Sequence, residues 1–212
     1  MTNETNDRRA HRVSVGMLTM MMVGLAPMAA VAQWDMGPPL PAPRSAHTAT
    51  TLPSGEVLVV GGRGVRDVLI LDPDAGAWRV VAALPAPSGS AQAPELFDHV
   101  ALLLATGEVL VTGGTIVDPM RRTSSASFVY EPAANRWRLV GNLAAARAGA
   151  SAMRLADGRV LVTGGQVEVG AATTVINGAE VYDPATGTWV LVGALLQGPR
   201  IRHSLSRLLD GR

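Results

Sequence analysis

From residue 34 onward, short apolar runs alternate with polar, glycine-bearing turns. Three runs are apolar at every position: Val57 to Val60, Val109 to Val111 and Val160 to Val162. Each leads into a glycine pair, Gly61-Gly62, Gly113-Gly114 and Gly164-Gly165, and the pairs recur every 51 or 52 residues. A short run with no polar face predicts a strand covered on both sides. The surroundings repeat with it. Four segments stand in register upstream: Arg44 to His47, Leu96 to His99, Arg147 to Ala150 and Arg200 to His203. Leu52, Leu104, Leu155 and Leu208 follow them, then turns at Gly55, Gly107, Gly158 and Gly211. Downstream come Leu71-Asp72-Pro73, Tyr130-Glu131-Pro132 and Tyr182-Asp183-Pro184, then Trp78, Trp137 and Trp189.

Each period predicts four strands. The first carries the apolar positions around the histidine. The second is the apolar run, ended by glycines where a side chain would not fit or φ must turn positive. The third ends at Tyr-Asp-Pro, where proline stops the ladder and starts a turn, and the fourth begins at tryptophan. Four antiparallel strands in about 50 residues is one blade of a propeller. Pro43-Arg44, the glycine doublet, Tyr182-Asp183-Pro184 and Trp189 stand in an order that resembles the kelch repeat.

The resemblance spans nearly all of residues 34–212 and implies an all-β, kelch-type β-propeller. Three full blades are expected at about 43–83, 95–142 and 146–194, with the start of a fourth at about 199–212. Leu71 replaces the expected tyrosine in blade one, and Leu96 replaces arginine in blade two. Trp34 stands before Arg44 as Trp137 stands before Arg147, so Gln33 to Met36 reads as a lone outermost strand that closes the ring and hides sheet edges. The run after Asp210-Gly211 is missing, so a longer parent protein is expected, with open blade faces prone to self-association.

Residues 1–32 read as an export signal: Arg8, Arg9 and Arg12, an uncharged stretch from Val13 to Ala32, and the small-x-small pattern Ala30-Val31-Ala32. Cleavage after Ala32 leaves a formally neutral mature chain, secreted or periplasmic, with no stable membrane insertion and no charge footprint for nucleic acid. The chain has 0 cysteines, which excludes disulfides, thiolate metal sites and a cysteine nucleophile. All 18 basic residues other than histidine are arginine, a usage expected of a GC-rich bacterial genome.

Strand alternation places the strand 2–3 and strand 4–1 loops on one side. That side collects Arg44, Arg63, Arg66, Arg121, Arg122, Arg147, Arg200 and Arg202, with Glu95, Asp98, Asp118 and Glu168 among them. Its loops vary in length while the opposite side carries tight turns, so recognition of a protein or carbohydrate partner is expected there. The kelch resemblance implies that Arg44, Arg147 and Arg200 rim the central channel. The arginines serve either as a carboxylate-binding rim or as ties between blades. His47, His99 and His203 share one repeat position and read either as a metal ring or as structural bonds between blades; the structural role and no bound metal or cofactor is the expectation. The tryptophans, Trp34 included, are expected in the packing.

Two functions compete. One is a non-catalytic binding scaffold. The other is the N-terminal part of a copper oxidase resembling galactose oxidase, whose tyrosine–cysteine cross-link has no counterpart here: there is no cysteine, and Tyr130 and Tyr182 hold blade positions. A sialidase-like reading fails because glycine stands four residues after Asp183 instead of two.

Overall fold

A computed structural model describes residues 37–86, 91–118, 120–194 and 197–208. Trp34, the leader and the Asp210-Gly211 turn lie outside the described residues. Blade one consists of β1 (Thr48–Thr51), β2 (Val57–Val60), β3 (Val68–Asp72) and β4 (Ala77–Val80), antiparallel in chain order. Next come β5 (Glu95–Phe97), β6 (Val100–Leu103), β7 (Val109–Thr112), β8 (Thr115–Val117), β9 (Arg121–Thr123), β10 (Ser127–Glu131) and β11 (Arg136–Leu139). Of these, β6, β7, β10 and β11 form the second blade, while β5, β8 and β9 make a separate small sheet. The third blade is β12 (Ser151–Arg154), β13 (Val160–Thr163), β16 (Gly178–Asp183) and β17 (Thr188–Ala194), and β14 (Gln166–Val169) with β15 (Ala172–Val175) forms a hairpin inside it.

Four strands per period is thus correct for the blades but short for the chain. The strand 2–3 connections of blades two and three fold into hairpins of their own. A second difference falls at 203–208, where a first strand is expected and the structure assigns none. A strand is made by its ladder, and no described segment pairs with those residues.

The core lies between blades. Leu58, Val60, Val68 and Ile70 of blade one meet Val109, Val111, Phe128 and Tyr130 of blade two. Leu110 and Val129 on the second blade's other face meet Val160, Val162 and Tyr182 of the third. Each such side chain fully removed from water contributes roughly 1.5–3 kcal/mol, so stacking and not any single sheet carries the stability. The register sets this up: Leu58 pairs with Ile70 and Leu110 with Val129, so a cross-strand pair presents one continuous apolar surface to the next blade.

The tryptophans lock the outer strands to the preceding blade. The Trp137 ring tilts against Tyr130 at 4.9 Å, and Trp189 against Tyr182 at 5.1 Å. Their indole N–H groups donate backwards, Trp137 to the Ala82 carbonyl at 2.8 Å and Trp189 to Ser127 Oγ at 3.0 Å. Trp78 donates to the Pro38 carbonyl at 3.1 Å. A half-buried aromatic with one polar handle satisfies packing and hydrogen bonding together.

Candidate binding face

The strand 2–3 and 4–1 connections share one side, and its innermost layer is a chain of backbone bonds. Ala46, Asp98, Gly149 and Arg202 hold the same repeat position, and all four are left-handed, with φ of 56°, 53°, 62° and 52°. That turn lets each reach its neighbour. Asp98 N–H donates to the Ala46 carbonyl at 3.0 Å, Gly149 to Asp98 at 2.8 Å and Arg202 to Gly149 at 2.8 Å.

The glycine pairs form the next layer. Gly62, Gly114 and Gly165 donate N–H to the carbonyls of Leu96, Arg147 and Arg200 at 2.9, 2.7 and 2.9 Å. A Cβ on Gly61, Gly113 or Gly164 would stand 2.1, 2.5 or 2.4 Å from those same oxygens. The doublet therefore has two distinct jobs: the first glycine permits contact with the following blade's backbone, and the second bonds to it.

The arginines divide into internal and surface groups. Arg44 and Arg147, expected on the exposed face, are internal: their side chains are 0% and 1% accessible. Arg44 reaches the Gly61 carbonyl at 3.2 Å and pairs with Asp67 at 2.8 Å. Arg147 donates to the carbonyls of Gly164 (3.0 Å) and Gly178 (2.8 Å) and to Glu180 at 2.5 Å. Glu180 also accepts the N–H groups of Ala144 and Ala145. An ion pair so enclosed persists only because its remaining donors and acceptors are satisfied. Neither side chain is free to meet a ligand. Arg200 is half-buried beside Gly165.

Arg63, Arg121 and Arg202 do lie at the surface. Asp98 accepts from both Arg63 (2.9 Å) and Arg202 (3.1 Å), tying blade one to the segment after blade three. The guanidinium groups of Arg63 and Arg121 lie over the buried Phe97 ring, 4.4 and 5.6 Å from its centroid. Arg121 pairs with Glu168 at 3.1 Å, and Glu168 N–H donates to Thr123 Oγ1 at 2.8 Å, so the β8–β9 and β14–β15 hairpins are joined. Arg66 donates to the Ala93 carbonyl, Arg122 to that of Asp118, and Glu95 accepts from Gly64 N–H. Met120 and Val169 project from the hairpins, 76% and 71% exposed.

The histidines do not converge. His99 Nε2 bonds Thr48 Oγ1 of blade one at 2.8 Å, and His203 Nε2 bonds Thr163 Oγ1 of blade three at 2.8 Å. Ser151 Oγ also donates to the His203 carbonyl. Burial pushes the His99 imidazolium down to about 3, so the ring is neutral, and burial also lowers His203. Among the described residues no three histidine or carboxylate side chains cluster as a metal site. His47 is half-buried at the same repeat position in blade one.

The tight-turn side is built from one repeated device. Leu52 N–H donates to Glu56, Leu104 to Glu108 and Leu155 to Arg159, each at 2.8 Å. Between blades one and two these turns border a groove of about 570 Å³ lined by Leu52, Pro53, Pro132 and Ala134. Its carboxylates are engaged: Glu56 with Arg79, Glu108 with Arg138, and Glu131 with Arg136 and Arg138.

Sequence reasoning missed three things: the raised hairpins, Glu180 as the partner of Arg147, and Asp98 as the double acceptor. The β14–β15 hairpin had a signal in Val167-x-Val169 and Thr173 to Val175 flanking Gly170.

Stacked four-stranded antiparallel sheets whose inner edges are stitched by repeat-equivalent bonds define a β-propeller. Residues 148–195 match the Kelch motif family model. The human (Homo sapiens) kelch repeat and BTB domain-containing protein 13 is 31% identical over 132 residues, 62% of this chain and 26% of that protein. The solved structure of YjhT superimposes with a TM-score of 0.61 at 18% identity, covering 75% of this chain and 54% of that one. The chain therefore spans about a quarter of the first relative and about half of the second. With the repeat chemistry above, these findings support a kelch-type repeat in this chain and a β-propeller fold.

Proposed function

We propose that this chain is a non-catalytic binding scaffold that receives a protein partner on the face formed by its strand 2–3 and 4–1 connections. The observation that carries the reading is the pair of hairpins raised from blades two and three. They are cross-tied through Arg121–Glu168 and Thr123–Glu168, and they display Met120 and Val169 to solvent. Apolar groups held outward on braced hairpins, over a rigid stack, suit recognition better than they suit folding. The relative that shares kelch repeats joins them to a BTB domain. The engaged arginines narrow the contact to Met120, Val169 and their surroundings, and a carbohydrate partner would use the same rim. We further propose export, with cleavage after Ala32, and a secreted or periplasmic location; the mass of the mature chain from its native host tests this.

A photo-crosslinking residue placed at Met120 or Val169, and as a control at Ala133 on the tight-turn side, tests the face. A discrete adduct from the first two sites and none from Ala133 is expected. Equal labelling from all three, or labelling from Ala133 alone, overturns the assignment. Copper at one equivalent per chain by elemental analysis would instead favour the oxidase.

A further inference from the structure

Strand β15 offers an unguarded edge, and the hydrogen-bond phase of its hairpin identifies which atoms are free. Gln166 exchanges both backbone bonds with Ala148, at 2.9 Å each, so its N–H and C=O point away from β15. Glu168 N–H likewise points away, to Thr123 Oγ1. Gln166 and Glu168 are the partners of Val175 and Thr173. In an antiparallel ladder both members of such a pair turn their backbone groups outward. Ile176 N–H, one residue on, points inward to the Gly165 carbonyl at 2.9 Å, in the same alternation. The N–H and C=O of Thr173 and Val175 thus point outward from the hairpin, and among the described residues no strand pairs with them. All four residues of β15 are exposed. Natural edges are guarded by charge, proline, a bulge or a covering segment, and Ala172-Thr173-Thr174-Val175 has neither charge nor proline.

We infer that two copies of the chain join through this edge, β15 against β15 of the second copy. The spacing of the free groups is self-complementary. Under a two-fold axis through Thr174, Thr173 of one copy meets Val175 of the other in a hydrogen-bonded pair, and the reverse pair forms symmetrically. Four backbone bonds result. Thr174 faces its own counterpart across the axis in the close, non-hydrogen-bonded arrangement, and threonine pairs are favourable there. The contact is isologous and therefore closes at two copies, giving a four-stranded sheet of two hairpins. The only charge on either strand, Glu168, is neutralised by Arg121, so like-charge repulsion across the axis is absent. The inference goes beyond the binding reading and does not depend on which partner the face receives.

Sedimentation velocity over a dilution series tests it with the full chain and with Thr174→Arg, Thr174→Asp and Thr173→Pro. The wild type should be a reversible dimer. Each Thr174 variant should raise the dissociation constant at least tenfold, because like charges then stand opposed. Mixing the Arg and Asp variants should restore a dimer. Thr173→Pro removes one outward donor and leaves the hairpin ladder intact, so it should match the loss and decides the matter if a Thr174 variant fails to fold. A wild type monomeric at every concentration overturns the inference. So does a dimer indifferent to all three variants, which would place the contact elsewhere, such as on β17.

Discussion

Blade three contains a buried ion pair that blade two replaces with hydrocarbon, so the protein supplies its own reference state. Arg147 and Glu180 lie where blade two has Leu96 and Phe128: Glu180 pairs with Val162 as Phe128 pairs with Val111. Leu96 and Phe128 share one apolar cluster. Arg147→Leu would leave the Glu180 carboxylate enclosed, and Glu180→Phe would leave an enclosed guanidinium while freeing the Ala144 and Ala145 N–H groups. Each single change should cost about 3–5 kcal/mol, the penalty for stranding a buried charge. That is a large share of the 5–15 kcal/mol typical of a folded domain. The double variant strands no charge. It forfeits the bonds from Arg147 to Gly164 and Gly178 and the Glu180 acceptor of the Ala144 and Ala145 N–H groups, partly offset by buried hydrocarbon, and should cost less than either single variant. Urea denaturation followed by tryptophan fluorescence, with Trp189 reporting from blade three, measures all four corners of the cycle. Single variants each costing under about 1 kcal/mol, or a double variant equal to the sum of the singles, would refute the reasoning.

Three further outcomes follow from the inner layers. Gly113→Ala places a Cβ 2.5 Å from the Arg147 carbonyl at φ +69° and should cost more than about 2 kcal/mol, whereas Gly158→Ala, with open space and φ +90°, should cost only about 1 kcal/mol; thermal melts compare them. Ala46→Gly relieves a left-handed alanine and should stabilise by up to about 1 kcal/mol in the same assay, the gain reduced by the extra freedom of the unfolded chain. His99 is depressed from 6.5 to about 3 by burial, so below pH 6.5 the unfolded chain binds the proton and the folded chain does not. Stability is therefore whole above that pH and falls by about 1 kcal/mol per pH unit as acidity rises towards pH 3. His99→Gln should flatten that slope in urea melts run from pH 7 to pH 4.

The blades were legible because their signals are local and repeated. An apolar run, a glycine pair and a tryptophan mark a strand covered on both faces, a close backbone approach and a polar-handled ring. The glycine pair even indicated a site with no room for a side chain, though not that the obstacle is the next blade's carbonyl. The site was less legible because its pairings cross the repeat. Arg147 finds Glu180 through a register that only the β13–β16 ladder sets, and Arg44 in blade one uses Asp67, just before β3 and two residues ahead of the equivalent position, Leu69. A shared arginine position thus has no shared acid position for sequence comparison to reveal. The hairpins went unseen because the four-strand period accounted for the chain without them, although Thr173 to Val175 carried strand propensity.

Residue-resolved amide hydrogen exchange tests most directly whether the sheets stack with stitched inner edges. The N–H groups of Asp98, Gly149 and of the glycines Gly62 and Gly114 each bond to a neighbouring blade. They should exchange as slowly as the central-strand amides of β7 and β13. Exchange of these four at the rate of an unprotected amide, with β7 and β13 still protected, would mean that the sheets fold without docking and would contradict the propeller.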